Sequence, residues 1–426
     1  MVRNMRFLRR AVLGFSLFTG FASIVSAQSV ELNPLAKQEV LDQVTEVMLK
    51  SAFVPGLDFK KWPDILKQEQ AAIDDAKNDD EFQKAVNAAL KKFGATHIAL
   101  SSPRVAEMRQ NGATTGVGIS SQKVDDGLLV TRTVPDAPAE RGGIVVGDVI
   151  TAVDGKPATS AVPIAGKEGT DVTLTVRHAD KSTEDYILTR RRFSTLRPEE
   201  FEWVDKNTAK ITIYTFDFTY KHERIEQFMK DAGSCRNLIL DLRDNGGGSI
   251  ANFRKLLGLF VSPAKPVGTF IDRRMVDDYV AATKANGTDL AGIARWSPRK
   301  LRAIPSEAIP VYKGHVIVLI NGVSGSASEI VAAGLRDTIG ATVVGSKSAG
   351  AVLVSQYVPA SNGFMLQYPL SDYVTIKGVR LEGAGVIPDV LASDPKLRTP
   401  NAPDDVVKKA VELFANAKQG DGHEIG

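Results

Sequence analysis

The stretch His315-Val-Ile-Val-Leu-Ile320-Asn-Gly-Val-Ser324-Gly-Ser326-Ala-Ser328-Glu-Ile330 decides the fold. Its five apolar residues, Val316 to Ile320, lack in-out alternation and read as a short strand buried on both faces, as in a parallel sheet. Asn321-Gly322 supplies turn chemistry. From Ser328 the period changes: Ile330, Val331, Leu335 and Ile339 recur at three-to-four spacing, and Gly340 fits a helix C-terminal cap. A serine at such a strand-to-helix corner lies against unpaired backbone N–H groups and the positive helix end, both of which stabilise an oxyanion. The plainer reading of Ser324, Ser326 and Ser328 is a set of turn residues and a helix N-cap, because serine is favoured there in any case.

Working outward, the α/β pattern begins near Lys210. Ala209 to Tyr214 and Asn237 to Leu242 read as strands, with an amphipathic helix between them through Ile225, Phe228 and Met229. Asp241-Leu-Arg-Asp-Asn-Gly246-Gly-Gly248-Ser then leads into a helix from Ile250 to Phe260. Residues 262–310 are rich in Pro, Arg and Asp without a clear period, and read as an insertion over the active-site region. Strands follow at Thr342 to Gly345, around Phe364 to Tyr368, and at Tyr373 to Ile376. An amphipathic helix through Val406, Val407, Ala410, Val411 and Phe414 ends the pattern. Residues 32–93 are helical in pattern, broken at Pro55-Gly56, and residues 113–192 alternate short strands with Gly and Asp turns.

The first 27 residues read as a targeting segment: a basic start (Arg3, Arg6, Arg9, Arg10), an apolar run from Ala11 to Val25, and a small-residue cleavage site at Val25-Ser26-Ala27. The expectation is a periplasmic or secreted protein cleaved after Ala27, with no stable membrane anchor. Removing four Arg takes the formal charge from +3 to −1, so no basic excess points to nucleic acid. The single Cys235 excludes an internal disulfide. One Cys and five scattered His offer no ligand spacing for a metal, and the triple glycine lacks the Gly-Lys-Ser/Thr of a phosphate loop. No metal or other cofactor is expected.

Two resemblances organise these observations. Thr115-Gly116-Val117-Gly118-Ile119-Ser120, Pro138-Ala-Glu-Arg-Gly-Gly-Ile144-Val-Val-Gly-Asp148-Val-Ile150 and Asp171-Val-Thr-Leu-Thr-Val176 resemble a PDZ domain in order and spacing. In that family a Gly-x-Gly-apolar loop presents backbone N–H groups to a peptide's terminal carboxylate, here Gly116, Val117, Gly118 and Ile119. A hairpin glycine pair without a ligand is the alternative. Asp241 to Gly248, the Ser324-Gly-Ser326-Ala-Ser328-Glu329 turn and Glu382-Gly-Ala-Gly385-Val-Ile-Pro388-Asp389 resemble the carboxyl-terminal processing (tail-specific) serine proteases. That resemblance implies Ser326 as nucleophile and an oxyanion hole of the Gly247 and Ala327 N–H groups.

The family's base is a lysine 25 residues after the nucleophile, and here that position is Ala351, with Lys347 four residues early. A serine without a base is a weak nucleophile. Gly94-Ala-Thr96-His97 resembles the histidine segment of the tricorn-type members, whose orienting glutamate precedes a Gly-Val-x-Pro-Asp run; the matching residue is Glu382, with Thr96 beside the histidine as support. A helix-end histidine and a surface acid are the plainer readings of His97 and Glu382.

The resemblance implies a multidomain α+β and α/β chain: signal segment 1–27, N-terminal helical domain 28–103, PDZ β-sandwich or barrel 104–194, crotonase/ClpP-like α/β core 195–400, and C-terminal helix and tail 401–426. It implies an exported serine endopeptidase acting on proteins or peptides bound by their C-termini. An inactive PDZ scaffold on a degenerate protease fold, marked by Ala351, competes with it, as does an esterase using the same three residues.

Overall fold

The computed structural model describes residues 32–233, 235–394 and 403–420; the targeting segment read over residues 1–27 lies outside them. Strand His315–Ile320 sits between Asn237–Asp241 and Thr342–Gly345 and runs parallel to both. Thr208–Thr212 and Val390–Leu391 extend the parallel sheet on either side, and Glu200–Asp205 closes one edge antiparallel. Leu240, Val318, Ile320 and Val343 face one core, with helices His222–Ala232, Ile250–Gly258 and Ala327–Ile339 against them. Ile239, Ile317, Leu319 and Val344 face the other side, against Val406, Val407, Ala410 and Phe414 of helix Asp405–Gly420. Cover on both faces explains the uninterrupted apolar run. Gly340 caps the serine helix in the left-handed conformation, as its sequence position indicates.

A second sheet is antiparallel and draws on distant parts of the chain. Its long strand Met365–Thr375 pairs with Ala99–Ser101, Val354–Pro359 and Pro266–Asp272. The N-terminal helices do not build a core of their own. Val40, Val44 and Met48 of helix Pro34–Lys50, with Phe82, Val86 and Leu90 of helix Asp79–Lys91, pack on Leu100, Leu353, Phe364 and Leu366. Phe82 meets Phe364 edge-on at 5.4 Å. The short strand Ala99–Ser101 is thereby fixed in register, Leu100 opposite Leu366, and it anchors the residues just before it.

Residues 262–310 correct the expectation of an irregular cover. They form strand Pro266–Asp272 and helices Arg273–Thr283 and Leu290–Trp296, packed through Ile271, Met275, Tyr279, Leu290 and Ile293. Of this stretch only Phe270 reaches the central cleft. The short helices hid their period in the sequence because each shows only one or two turns of an apolar face.

Between these parts lies the PDZ unit. Strands Ile119–Val124, Gly127–Thr133, Val149–Val153, Asp171–Arg177 and Thr183–Thr189 form its antiparallel sheet around Leu128, Val130, Ile150, Leu174 and Val176. Ala113–Gly116 pairs with Arg191–Ser194 where the chain enters and leaves.

Candidate active site

The loops that follow Asp241 and Ile320 meet beyond the carboxyl ends of adjacent strands, where open parallel sheets put ligand sites. Asn245 joins them: its carbonyl accepts from the Gly325 N–H at 3.0 Å and from Ser328 Oγ at 2.8 Å. Ser324 is fully buried, donating to the Leu242 carbonyl at 2.8 Å and accepting from the Asn321 N–H at 2.9 Å. Two of the three serines are therefore engaged in holding the turn. Ser326 alone opens on the cleft, at φ 54° and ψ −116°, a backbone region that non-glycine residues avoid and that is tolerated where surrounding bonds enforce it. Its N–H forks between the Ala351 carbonyl at 2.7 Å and Glu329 Oε2 at 3.0 Å.

His97 lines the same cleft of about 630 Å³, from the segment ahead of strand Ala99–Ser101. Glu382, nearly buried, does not bond to the imidazole directly. Its Oε1 accepts from the Thr96 N–H at 2.9 Å, and its Oε2 accepts from Thr96 Oγ1 at 3.0 Å and from the Val352 N–H at 2.9 Å. Thr96 Oγ1 lies 2.8 Å from His97 Nδ1. A hydroxyl has one proton, and this one is given to the carboxylate, so Thr96 accepts from Nδ1–H and the imidazole keeps Nε2 as its acceptor. Burial lowers the His97 pKa, Glu382 raises it, and the Arg109 guanidinium lowers it again; the net direction is downward from 6.5. Among the described residues no hydrogen bond joins Ser326 Oγ to His97, a gap that resting active sites commonly show before substrate arrives.

The oxyanion side is less simple than the sequence implied. The Gly247 N–H donates to Asn245 Oδ1 at 2.9 Å, whereas the Ala327 N–H is the first of its helix and has no carbonyl four residues back within it. Gly247 packs on the Ser326 turn so closely that a Cβ there would fall 2.6 Å from the Ser326 Cβ.

Glu329, which the sequence reading passed over, sits fully buried at the third position of the serine helix. Its carboxylate accepts from the N–H groups of Ser326, Gly350 and Ala351 and from the Ser348 hydroxyl. Burial pushes its pKa up against those four bonds. It ties Ser326 to the segment where the resemblance places a lysine; Lys347 itself is exposed and does not line the cleft. The Ser-x-x-Glu spacing was the available signal, since it matches a capping box. Arg243 is likewise structural. Buried, it binds three carboxylates, Asp241, Asp394 and Asp404, and so holds the C-terminal helix to the glycine loop.

In the PDZ unit, Val117 is buried and Gly118 takes φ 80° with Ala137 packed against it. The Val117 and Gly118 carbonyls accept from the Ala139 and Val134 N–H groups. Strand Ile119–Val124 is the edge of its sheet. Among the described residues there is no cluster of three or more potential metal ligands, and no helix long and apolar enough to cross a membrane.

The sequence profile of peptidase family S41 matches residues 207–392, and that of the PDZ domain matches residues 104–176. A CtpA-like serine protease of Staphylococcus epidermidis (strain ATCC 35984) is 28% identical over 318 residues, covering 72% of this chain and 59% of that protein. One of Staphylococcus aureus (strain N315) is 27% identical over 398 residues, covering 92% and 73%. The chain spans about three fifths of the length of the first of these relatives. Of solved structures, an S41 protease from Bacteroides fragilis NCTC 9343 aligns at TM-score 0.55 and 15% identity over 88% of this chain and 97% of its own. Mature CPAF aligns at TM-score 0.52 and 15% identity over 90% and 96%. At these identities the two structures speak for the fold.

Proposed function

We propose that the chain, whose residues 207–392 match peptidase family S41, is a serine endopeptidase of the carboxyl-terminal processing type using Ser326, His97 and, through Thr96, Glu382. Ser326 Oγ attacks the peptide carbonyl while its proton passes to His97 Nε2. The imidazolium returns that proton to the departing amine, leaving an acyl-serine; a water deprotonated by the same imidazole then releases the acyl group and restores Ser326. Glu382 stabilises the imidazolium through the Thr96 hydroxyl and fixes the tautomer. The Ala327 N–H faces the developing oxyanion, and the Gly247 N–H joins it on swinging from Asn245 Oδ1.

One observation supports the reading: the Glu382–Thr96–His97 chain of contacts, built from distant parts of the sequence, ends at a cleft that Ser326 also lines. The PDZ unit supplies substrates by their free C-termini, with the edge strand Ile119–Val124 pairing the peptide and the Gly116–Ile119 loop taking its carboxylate. The protein acts outside the cytoplasm after removal of residues 1–27, which N-terminal sequencing of the extracytoplasmic material would test.

Ala351 in the lysine position favours a second reading, an inactive peptide-binding scaffold. A fluorophosphonate probe separates the two. Labelling of the intact protein that vanishes in both Ser326→Ala and His97→Ala supports the peptidase; an unlabelled wild type supports the scaffold.

A further inference from the structure

The cleft that holds Ser326 and His97 has one permanent cation on its wall among the described residues, and the mechanism above does not use it. Arg109 comes from helix Pro103–Asn111, the segment that links strand Ala99–Ser101 to the PDZ unit. Its guanidinium carbon lies over the Tyr357 ring, 3.9 Å from the centroid, and one nitrogen donates to Asp217 Oδ2 at 3.1 Å. A contact with the ring face holds the guanidinium in place without consuming any of its five N–H donors.

The Asp217 contact does not satisfy the group. It is a single hydrogen bond, and both side chains are about two-fifths exposed, so the pair is weak. An arginine serves several carboxylates at once when geometry allows, and this protein contains the example: Arg243 holds Asp241, Asp394 and Asp404 together. Arg109 therefore retains a fork suited to a second carboxylate entering from the cleft.

Its position says which part of a substrate that carboxylate belongs to. His97 returns a proton to the departing amine, so the leaving segment lies on the imidazole's side of Ser326. Arg109 lines the cleft together with Thr96 and His97, and among the described residues it is the cation on the wall they share. We infer that Arg109 is a specificity-determining residue that reads a carboxylate on the leaving segment just past the scissile bond, either an Asp or Glu side chain or the segment's own free terminus. This rests on the peptidase reading and is separate from the PDZ loop, which belongs to another unit of the fold.

The test uses the full chain and two peptide sets. In one, Glu replaces Gln at each of three positions after the scissile bond, with the C-terminus amidated. In the other, a neutral peptide ends shortly after that bond as the free acid or the amide. Wild type is expected to prefer the carboxylate member at one position by on the order of tenfold in kcat/KM, the worth of one charge-assisted contact; the set that shows it identifies the source. Arg109→Gln should bring that ratio to about one, and raised salt should shrink it. Asp217→Asn, which removes the rival carboxylate and leaves Arg109 in its place, should enlarge it. Equal rates for every pair in wild type, or a ratio unchanged by Arg109→Gln and Asp217→Asn, would overturn the assignment. If wild type cleaves nothing and Ser326 stays unlabelled, the peptidase reading fails. The affinities of the same peptides for wild type and Arg109→Gln, which need no turnover, then decide the role of Arg109.

Discussion

Thr96 and Glu382 are joined twice, backbone N–H to Oε1 at 2.9 Å and hydroxyl to Oε2 at 3.0 Å. The first bond positions the segment; the second orients the hydroxyl proton away from His97. A threonine hydroxyl set this way is an obligatory acceptor for Nδ1–H, and so it selects the imidazole tautomer that a general base needs.

Thr96→Val should therefore lower kcat on the order of 10- to 100-fold, the usual cost of losing a group that orients another, with KM little changed. Thr96→Ser keeps the hydroxyl and should restore most of the rate. A structural role alone would move the melting temperature of both variants and not separate them in kcat.

The three serines of the turn should part cleanly. Ser326→Ala should abolish probe labelling and turnover. Ser324→Ala and Ser328→Ala each remove a buried hydrogen bond to a loop carbonyl, and each should cost about 1–2 kcal/mol in denaturant unfolding while labelling persists. Comparable loss of labelling at Ser324 would reassign the nucleophile.

The pH dependence has a definite sign. In the proposed mechanism the His97 base works when neutral, so kcat/KM should fall as pH drops through the His97 pKa. Burial, the largest influence, together with Arg109 outweighs Glu382 and places that midpoint below 6.5. Glu382→Gln should move the midpoint further down, and Arg109→Gln should move it up. Between the lowered value and the ordinary one only the unfolded chain takes up the proton, so stability also declines as pH falls through that window.

Gly247→Ala and Gly246→Ala make a matched pair. An added methyl at Gly247, at φ 105°, would meet the Ser326 Cβ at 2.6 Å and the Gly325 carbonyl at 2.9 Å. Activity should fall by about 100-fold or more through displaced oxyanion geometry. At Gly246 nothing lies within 4 Å, and the substitution should be tolerated. Steady-state kinetics on the two variants checks both statements.

Leu100→Ala tests whether the N-terminal helices serve the site. Leu100 is fully buried between those helices and strand Met365–Thr375. Its truncation should cost about 2–5 kcal/mol. Because His97 is three residues away, the variant should also lose kcat at temperatures where the fold remains intact by circular dichroism.

The parts legible in the sequence are those whose information is local. His315–Ile320 read as a doubly covered strand because no polar residue interrupts it, and Gly340 read as a cap because glycine suits its positive φ. Ser326, His97 and Glu382 follow from the family resemblance together with the empty lysine position, and the structure brings His97 and Ser326 to one cleft with Glu382 behind Thr96. What stayed hidden depends on long-range register. Nothing in Ala-Leu-Ser announces that Leu100 will sit opposite Leu366. A carboxylate's choice between an imidazole and a neighbouring hydroxyl is settled by a few tenths of an ångström. Arg109 carried no signal at all, one arginine on a polar helix among the many that face water.

The pair of hydrogen bonds between Thr96 and Glu382 spans 286 residues of chain. A ribosome delivers His97 early, Ser326 much later, and Glu382 later still. No copy or fragment ending before residue 382 can carry the whole relay. Under the proposed mechanism, synthesis holds activity back until the last strand of the second sheet has closed and the loop beyond it, with Glu382, has docked.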